Sequence, residues 1–395
     1  MYIKLIHSNY FQIVRKTTMN YTRFITSVSQ KRQPSLIREL TNLLNTASPE
    51  LVFLASGLPN PKLFPFENAK IQLQDGQSID LDSKLMSTCL QYGPTLGHPP
   101  LLKQLKELTL HLHNPPNWSD KELLVTTGSQ DGLCKTIEMM INPYDYVITQ
   151  EPCYTGTLSI LNPLSPKYLP VECDHEGLIP QSLKAALASW NPKEICQSTE
   201  NVPKVLYVNP TGGNPTGVSI PTERRHEIYE IAREYNLIIL EDDPYYFVQF
   251  NDVKNYPPSF LSLDTDGRVL RYDSFSKVLS SGIRLGYVTG PKPLIERIML
   301  HKQVSDLHAS SLSQVLVSEL FSKWGIDGFL NHTQKVQEFY QNQRDAMVEA
   351  ANKHLSDLCE WAVPTGGMFL WMKVKDVKNT YDMIINRNQI KLLWE

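Results

Sequence analysis

The sequence predicts an α/β protein: a mostly parallel sheet covered by helices, with a smaller α+β unit beside it. Two observations carry this. From about residue 120, short apolar runs alternate with segments of helical period, the pattern of βαβ units and of strands buried on both faces. The polar clusters of the chain fall at the carboxyl ends of those runs, where open parallel sheets bind their ligands. At 395 residues, 41% of them apolar, the chain is long enough for two or three domains and a large buried core.

Taken in order, "LVFLASGLPNP" (51–61) reads as a strand followed by a Gly/Pro loop. "ELLVTTG" (122–128) is a short apolar run ending in Gly. "SQDGLCKTIEMMI" (129–141) follows as a helix, with Leu133, Ile137, Met140 and Ile141 on one face. "DYVITQ" (145–150) and "KVLYVNP" (204–210) are the next strands. In "PTERRHEIYEIAREYN" (221–236), Pro221 suits a first helical turn and Glu223 an N-terminus. Ile228, Ile231, Ala232 and Tyr235 share a face. "LIILEDD" (237–243) and "RVLRYDS" (268–274) are further strands, 292–350 reads as long helices, and "GGMFLWMKVK" (366–375) as a strand of a C-terminal unit.

Composition excludes several classes of function. Net charge is −3, which argues against a general nucleic-acid binder. No stretch approaches the ~20 apolar residues of a membrane span. The six cysteines show neither C-x-x-C nor zinc-ligand spacing, so free thiols in a reducing compartment and no metal are expected. The first 38 residues hold seven Lys/Arg, and the first acid is Glu39. That is the composition of a mitochondrial transit peptide. A basic arm on a cytoplasmic protein, or a start at Met19, is the alternative.

Four strand ends carry the chemistry. "TGSQ" (127–130) stands where a strand meets a helix, so backbone N–H groups with Ser129 and Gln130 form an anion cradle; small residues also simply cap helices. "NPTGGNPTG" (209–217) is a rigid turn from which Asn214 offers a fixed amide. "EDDPYY" (241–246) leaves a buried-looking strand with Asp242, and Tyr245 follows by three; an acid there also serves as a helix cap. "DSFSKVLSSGIRLGY" (273–287) puts Ser274 and Ser276 on one face of an extended segment and Lys277 on the other. Arg284 can hold a phosphate bidentately. A lysine among serines is otherwise a solvated turn. Together, a phosphate site, an acid, a phenol, an amide and a lysine meet the demands of pyridoxal 5′-phosphate. That cofactor needs an amine for its aldehyde, an acid for its pyridine nitrogen, a donor for its 3′-oxygen and an aromatic for its ring face.

These strings, with "FLASGLPNPKLFPF", "TTGSQDGLCKTIEMMINPYD" and "GGMFLWMKVK", resemble the fold-type I, class I aminotransferases from about Asn20 to about Lys378. Within that family they are most similar to the branch acting on kynurenine and 2-aminoadipate. The resemblance implies a seven-stranded sheet in a large cofactor domain (65–315), a small domain from 33–64 and 316–395, and a basic extension over 1–32. It implies that Lys277 is the Schiff-base lysine and that Asp242 pairs with the pyridine nitrogen. Tyr245 and Asn214 would bond the 3′-oxygen, and Tyr154 would stack on the ring. Ser129, Gln130, Ser274, Ser276 and Arg284 would hold the phosphate. Arg38, Gly57, Asn214 and Tyr92 would serve the substrate, with Tyr92 reaching into the site of a second copy, so a homodimer is expected. Lys277 would move the substrate's α-proton, passing an amino group from an L-amino acid to a 2-oxo acid such as 2-oxoglutarate.

The resemblance stops near Lys378, before the arginine with which the family holds the substrate α-carboxylate. Arg387 is the only arginine beyond Lys373 and stands in a different context. Losing a bidentate charge-assisted pair weakens capture by roughly 10²- to 10⁴-fold, so a C-terminally truncated, turnover-deficient form that binds cofactor and dimerises is one alternative. A lyase sharing the cofactor residues is another. The S-x-x-K match at 274–277 has no S-D-N or K-T-G partner string.

Overall fold

The computed structural model describes residues 19–35 and 57–380, apart from 199 and 252–254. Its strands are β1 (Ala69–Gln72), β2 (Ser78–Leu81), β3 (Lys121–Thr126), β4 (Tyr146–Glu151), β5 (Lys167–Asp174), β6 (Gly177–Leu178), β7 (Val205–Val208), β8 (Ile238–Asp242), β9 (Val269–Ser274), β10 (Gly286–Pro291), β11 (Cys359–Trp361) and β12 (Met372–Val374). Strands β3 to β10 form one eight-stranded sheet in the order β3-β10-β9-β8-β7-β4-β5-β6. The expected count was seven, and the eighth is the two-residue edge strand β6, antiparallel to β5. The central pairs β5–β4–β7–β8–β9 are parallel, and β10 runs antiparallel between β9 and β3. The chain order reverses between β4 and β7, which opens a crevice at the carboxyl ends.

Strand periodicity explains why both faces are covered. Val205 and Tyr207, Ile238 and Leu240, and Leu270 and Tyr272 point to one face, with helices Ser129–Met140 and Lys292–Ser305. Leu206 and Val208, Ile239 and Val269 point to the other, under Thr222–Glu234 and Pro180–Leu187. Near the β3 end Leu123, Val125 and Tyr287 meet helix Pro99–His113 and the first half of Ser311–His354. Each such aliphatic side chain contributes ~1.5–3 kcal/mol on burial. The β1–β2 hairpin packs separately, with Ile79 and Leu81 against Met86, Val315 and Leu320. β11 and β12 pair only with each other.

Several expectations need correction. Residues 19–32 are built into the body instead of forming an extension. Phe24 is fully buried, Thr26 N–H donates to the Met139 carbonyl at 2.8 Å, and Arg23 donates to the carbonyls of Ile195, Ser198 and Asn236. Pro221 is the N-cap of helix Thr222–Glu234, just outside its first turn. The long C-terminal helix is interrupted at Gly325, whose φ of 64° and ψ of −176° are not helical. Within 366–375 only Met372–Val374 is strand. Gly366 and Gly367 instead approach Gly212 and Val248 so closely that a Cβ on either would meet backbone at 2.3–2.9 Å. Of the 51–61 stretch, 51–56 lies outside the described residues and Pro61–Leu63 is a 3₁₀ turn.

Candidate active site

The carboxyl ends of β3, β4, β7, β8 and β9 enclose a cleft of about 240 Å³. Its lining includes Ser129, Gln130, Tyr154, Asn214, Asp242, Tyr245, Ser274, Ser276, Lys277 and Arg284. Every cofactor-side residue expected from the sequence is therefore gathered in one place. Lys277 and Arg284 are the only cations among the described lining residues.

The floor of the cleft is Asp242, the last residue of β8, 4% exposed. Strand alternation turns it toward the same face as Tyr207, whose Oη donates to Asp242 Oδ2 at 2.8 Å. Tyr207 is opposite Leu240 in the β7–β8 register, so Asp242 is its diagonal neighbour. Burial pushes the Asp242 carboxyl up to about 7, opposed by the Tyr207 hydrogen bond and reinforced by the nearby carboxylates of Asp243 and Asp273. A buried carboxylate raised in this way calls for a cationic partner in the cleft. Glu241, Asp243 and Asp273 take the opposite face, where the fully buried Arg271 bonds all three at 2.9–3.0 Å.

The turn after β8 carries Tyr245 back over the cleft. Burial raises its phenol far above the ordinary value, and Asp242 adds to the rise, while the Asn214 side chain hydrogen-bonds it and opposes the rise. Asn214 is held in turn by Asn209, whose Oδ1 accepts the Asn214 backbone N–H at 2.8 Å and whose Nδ2 donates to the Asp242 carbonyl. Tyr154, just beyond β4, packs so tightly on Gly156 that a Cβ there would fall 2.4 Å from the ring.

The anion side is built at the start of helix Ser129–Met140. Its N-cap, Gly128, has φ 82°, and a Cβ would sit 2.5 Å from Arg284 Nη2, so glycine is what lets the guanidinium reach this turn. Arg284 also donates to Ser276 Oγ at 3.4 Å and to the Thr127 carbonyl at 3.3 Å. Gln130 lines the cleft, but its side-chain amide is engaged by the Gly156 carbonyl. Strand β9 ends at Ser274, and the next residues form a turn instead of the extended segment expected. That turn brings Ser274, Ser276 and Lys277 to the same cleft, not to opposite faces. Lys277 Nζ is 5.8 Å from the Tyr245 ring centroid.

The substrate side is less gathered. Gly57 and Tyr92 are exposed and do not line the cleft. Arg38 lies outside the described residues, as does Arg387. The sequence did not single out Tyr207, Asn209, Pro244, Ser281 or Phe369. Phe369 lines the cleft edge-on to Tyr245, with ring centroids 5.7 Å apart. "GGMFLW" was the available signal for Phe369. Tyr207 and Asn209 reach Asp242 through strand register, which no local string records.

The groups fit the cofactor: an acid at the floor, a phenol–amide pair beside it, an aromatic face, a lysine, and a helix N-terminus with an arginine. The fold and the cleft together define a fold-type I pyridoxal-phosphate enzyme. The chain belongs to the aminotransferase class I and II family, whose model matches residues 50–393. That match runs past Lys378, where the motif strings were read to end. Pyridoxal 5′-phosphate is the cofactor of this family. The chain is 50% identical over 372 residues to the mitochondrial kynurenine/alpha-aminoadipate aminotransferase of Bos taurus, covering 93% of this chain and 87% of that one. Aminotransferase Aro8 of Candida albicans superposes with TM-score 0.83 at 30% identity, covering 93% and 84% of the two chains. The Pyrococcus horikoshii kynurenine aminotransferase, solved with PMP, KYN as substrates and KYA as products, gives TM-score 0.70 at 30% identity, covering 93% and 86%.

Proposed function

We propose that this aminotransferase uses kynurenine- or 2-aminoadipate-type amino acids as donors and a 2-oxo acid such as 2-oxoglutarate as acceptor. The bovine and archaeal relatives support the donor class by name. The observation that carries the chemistry is the pairing of Lys277 and the buried Asp242 in one cleft.

When bound, the cofactor supplies an aldehyde for the amino group and a cationic ring that withdraws electrons from the substrate α-carbon. Lys277 would supply the amine that anchors it and, as a free amine, would carry the substrate's α-proton. Asp242 would pair with the ring nitrogen, and the Tyr207 hydrogen bond favours the ionised form of its carboxylate. Tyr245 and Asn214 present hydrogen bonds at the 3′-oxygen position, and Tyr154 covers the ring face. Ser129, Ser274, Ser276 and Arg284, with the helix N–H groups, hold the phosphate; Gln130 contributes through its backbone, because its amide is engaged elsewhere.

The active unit is a homodimer in which Tyr92 serves the other copy's site. In support, Tyr92 is 56% exposed, and Leu58, Leu307 and Leu312, in the segments bonded beside it, are exposed as well. Those segments are joined by Gln91 to the Pro59 carbonyl, Ser311 to the Gln91 carbonyl and His308 edge-on to Tyr92. Residues 65–315 form the cofactor domain, and 33–64 with 316–395 the small one, with Arg38 and Gly57 on the substrate side. The location is mitochondrial, as the names of the mammalian relatives support. No nucleic acid takes part, in keeping with the net charge of −3, and no helix among the described residues is long and apolar enough to cross a membrane.

The test is product analysis. Holoprotein given 2-aminoadipate or kynurenine should form glutamate only when 2-oxoglutarate is present, one for each donor consumed. Donor breakdown without an oxo acid would replace transamination by lyase chemistry.

A further inference from the structure

Behind the phosphate side of the cleft lies a set of buried and half-buried charges that the roles above do not use. Helix Lys292–Ser305 places Lys302 there with its side chain fully enclosed. Lys302 Nζ is 2.6 Å from Asp306 Oδ2 and 3.1 Å from Asp131 Oδ2. Lys135 pairs with Asp131 one turn along its helix and stands 3.7 Å from Asp306 Oδ1. Both carboxylates grip Thr127, the residue before the N-cap glycine. Its N–H donates to Asp131 Oδ2 at 2.9 Å and its hydroxyl to Asp306 Oδ2 at 3.2 Å. Its carbonyl accepts from Arg284, so every backbone and side-chain polar group of Thr127 is held.

Two carboxylates and two ammoniums make this cluster neutral. Neutrality matters because Asp131 is two residues from Ser129, at the helix end where a dianion is to bind. An uncompensated carboxylate there would oppose the phosphate directly. A lysine with no exposure is costly to bury unless its partners recover the loss, and here the partners are the residues that shape the turn.

We propose that Lys302, acting through Asp131 and Asp306, is a positioning residue that sets the charge and shape of the phosphate cradle. Resting on the cofactor assignment above, this places control of phosphate affinity on helix Lys292–Ser305, outside the cleft. The test compares pyridoxal phosphate with pyridoxal, which lacks the phosphate, by titrating cofactor-free protein and following protein fluorescence. Lys302→Met leaves two carboxylates facing one lysine, so affinity for pyridoxal phosphate should fall about tenfold and affinity for pyridoxal should not change. Asp306→Asn, at a side chain 29% exposed, removes one of the two negative charges. It should tighten pyridoxal phosphate a few-fold, again with pyridoxal unmoved, and the double variant should return toward the unmodified protein. Equal losses for both ligands, or the same sign for the two single variants, would show that the cluster only packs and would overturn the proposal. Should Lys302→Met fail to fold, Asp306→Asn decides alone: unchanged or weaker phosphate-dependent binding overturns it. If the unmodified protein binds pyridoxal phosphate no tighter than pyridoxal, the phosphate site itself is wrong and both assignments fall. If it prefers pyridoxal phosphate but neither variant alters that preference, this inference alone falls.

Discussion

Asp242 is where stability and function conflict most measurably. Its carboxyl rises from the ordinary 3.8 to about 7, with burial as the main cause. An acid raised on folding binds more protons in the folded state than in the unfolded one. Its contribution to stability is therefore complete below pH 3.8, is lost as pH rises toward 7, and is flat above. At about 1.4 kcal/mol per unit, the full loss is ~4 kcal/mol in the cofactor-free protein. Asp242→Asn is neutral at every pH and escapes that loss. Cofactor-free Asp242→Asn should thus be more stable than the unmodified protein by ~2–4 kcal/mol at pH 8 and by about half as much at pH 5.5, read as melting temperatures a few degrees apart. It should also bind pyridoxal phosphate far more weakly. Thermal unfolding of both proteins without cofactor, across that pH range, is the assay. A variant no more stable at pH 8, or a gap that does not shrink toward pH 5.5, would refute burial as the source of the raised pKa.

Three further outcomes follow from particular contacts. Tyr207→Phe removes a hydrogen bond to a buried carboxylate, a change of ~1.5–3 kcal/mol. It should move the pH dependence of cofactor binding upward by one to two units, roughly, visible in titrations from pH 6 to 9. Gly128→Ala puts a Cβ 2.5 Å from Arg284 Nη2 at φ 82°; it should weaken pyridoxal phosphate about tenfold or more while sparing pyridoxal. Arg23→Ala frees three carbonyls from one guanidinium and should lower global stability by ~2–4 kcal/mol in chemical denaturation, with little change in the absorbance of bound cofactor.

Much of this was legible in the sequence, for physical reasons that can be named. Strands β3, β4, β7, β8 and β9 are buried on both faces, so each reads as an apolar run, and their ends carry the polar groups that make the cleft. β10 was missed because "GYVTGP" opens on glycine and closes on proline, with few apolar residues between. β5 was missed because it carries Pro170 mid-strand and buries only Val171, its other residues being exposed or half-buried without a regular alternation. Within the basic N-terminal stretch, charge composition cannot show that Arg23 spends its charge on backbone carbonyls. Asp242, Tyr245, Asn214 and Lys277 lie in short, rigid strand-end strings whose residue types match one cofactor's needs. Tyr207, Asn209, Arg271 and Lys302 act through cross-strand register or helix packing over 28 to 171 residues of sequence. Only the folded chain brings them beside the residues they act on.

Everything above turns on Lys277 being the amine on which this cleft carries pyridoxal phosphate. Reconstituting the protein with the cofactor, reducing it with borohydride and mapping the labelled peptide tests it most directly. One phosphopyridoxyl group is expected, on Lys277, with the visible absorbance of lysine-bound cofactor before reduction and neither signal in Lys277→Ala. Label on another lysine, or an undiminished band in Lys277→Ala, would contradict it.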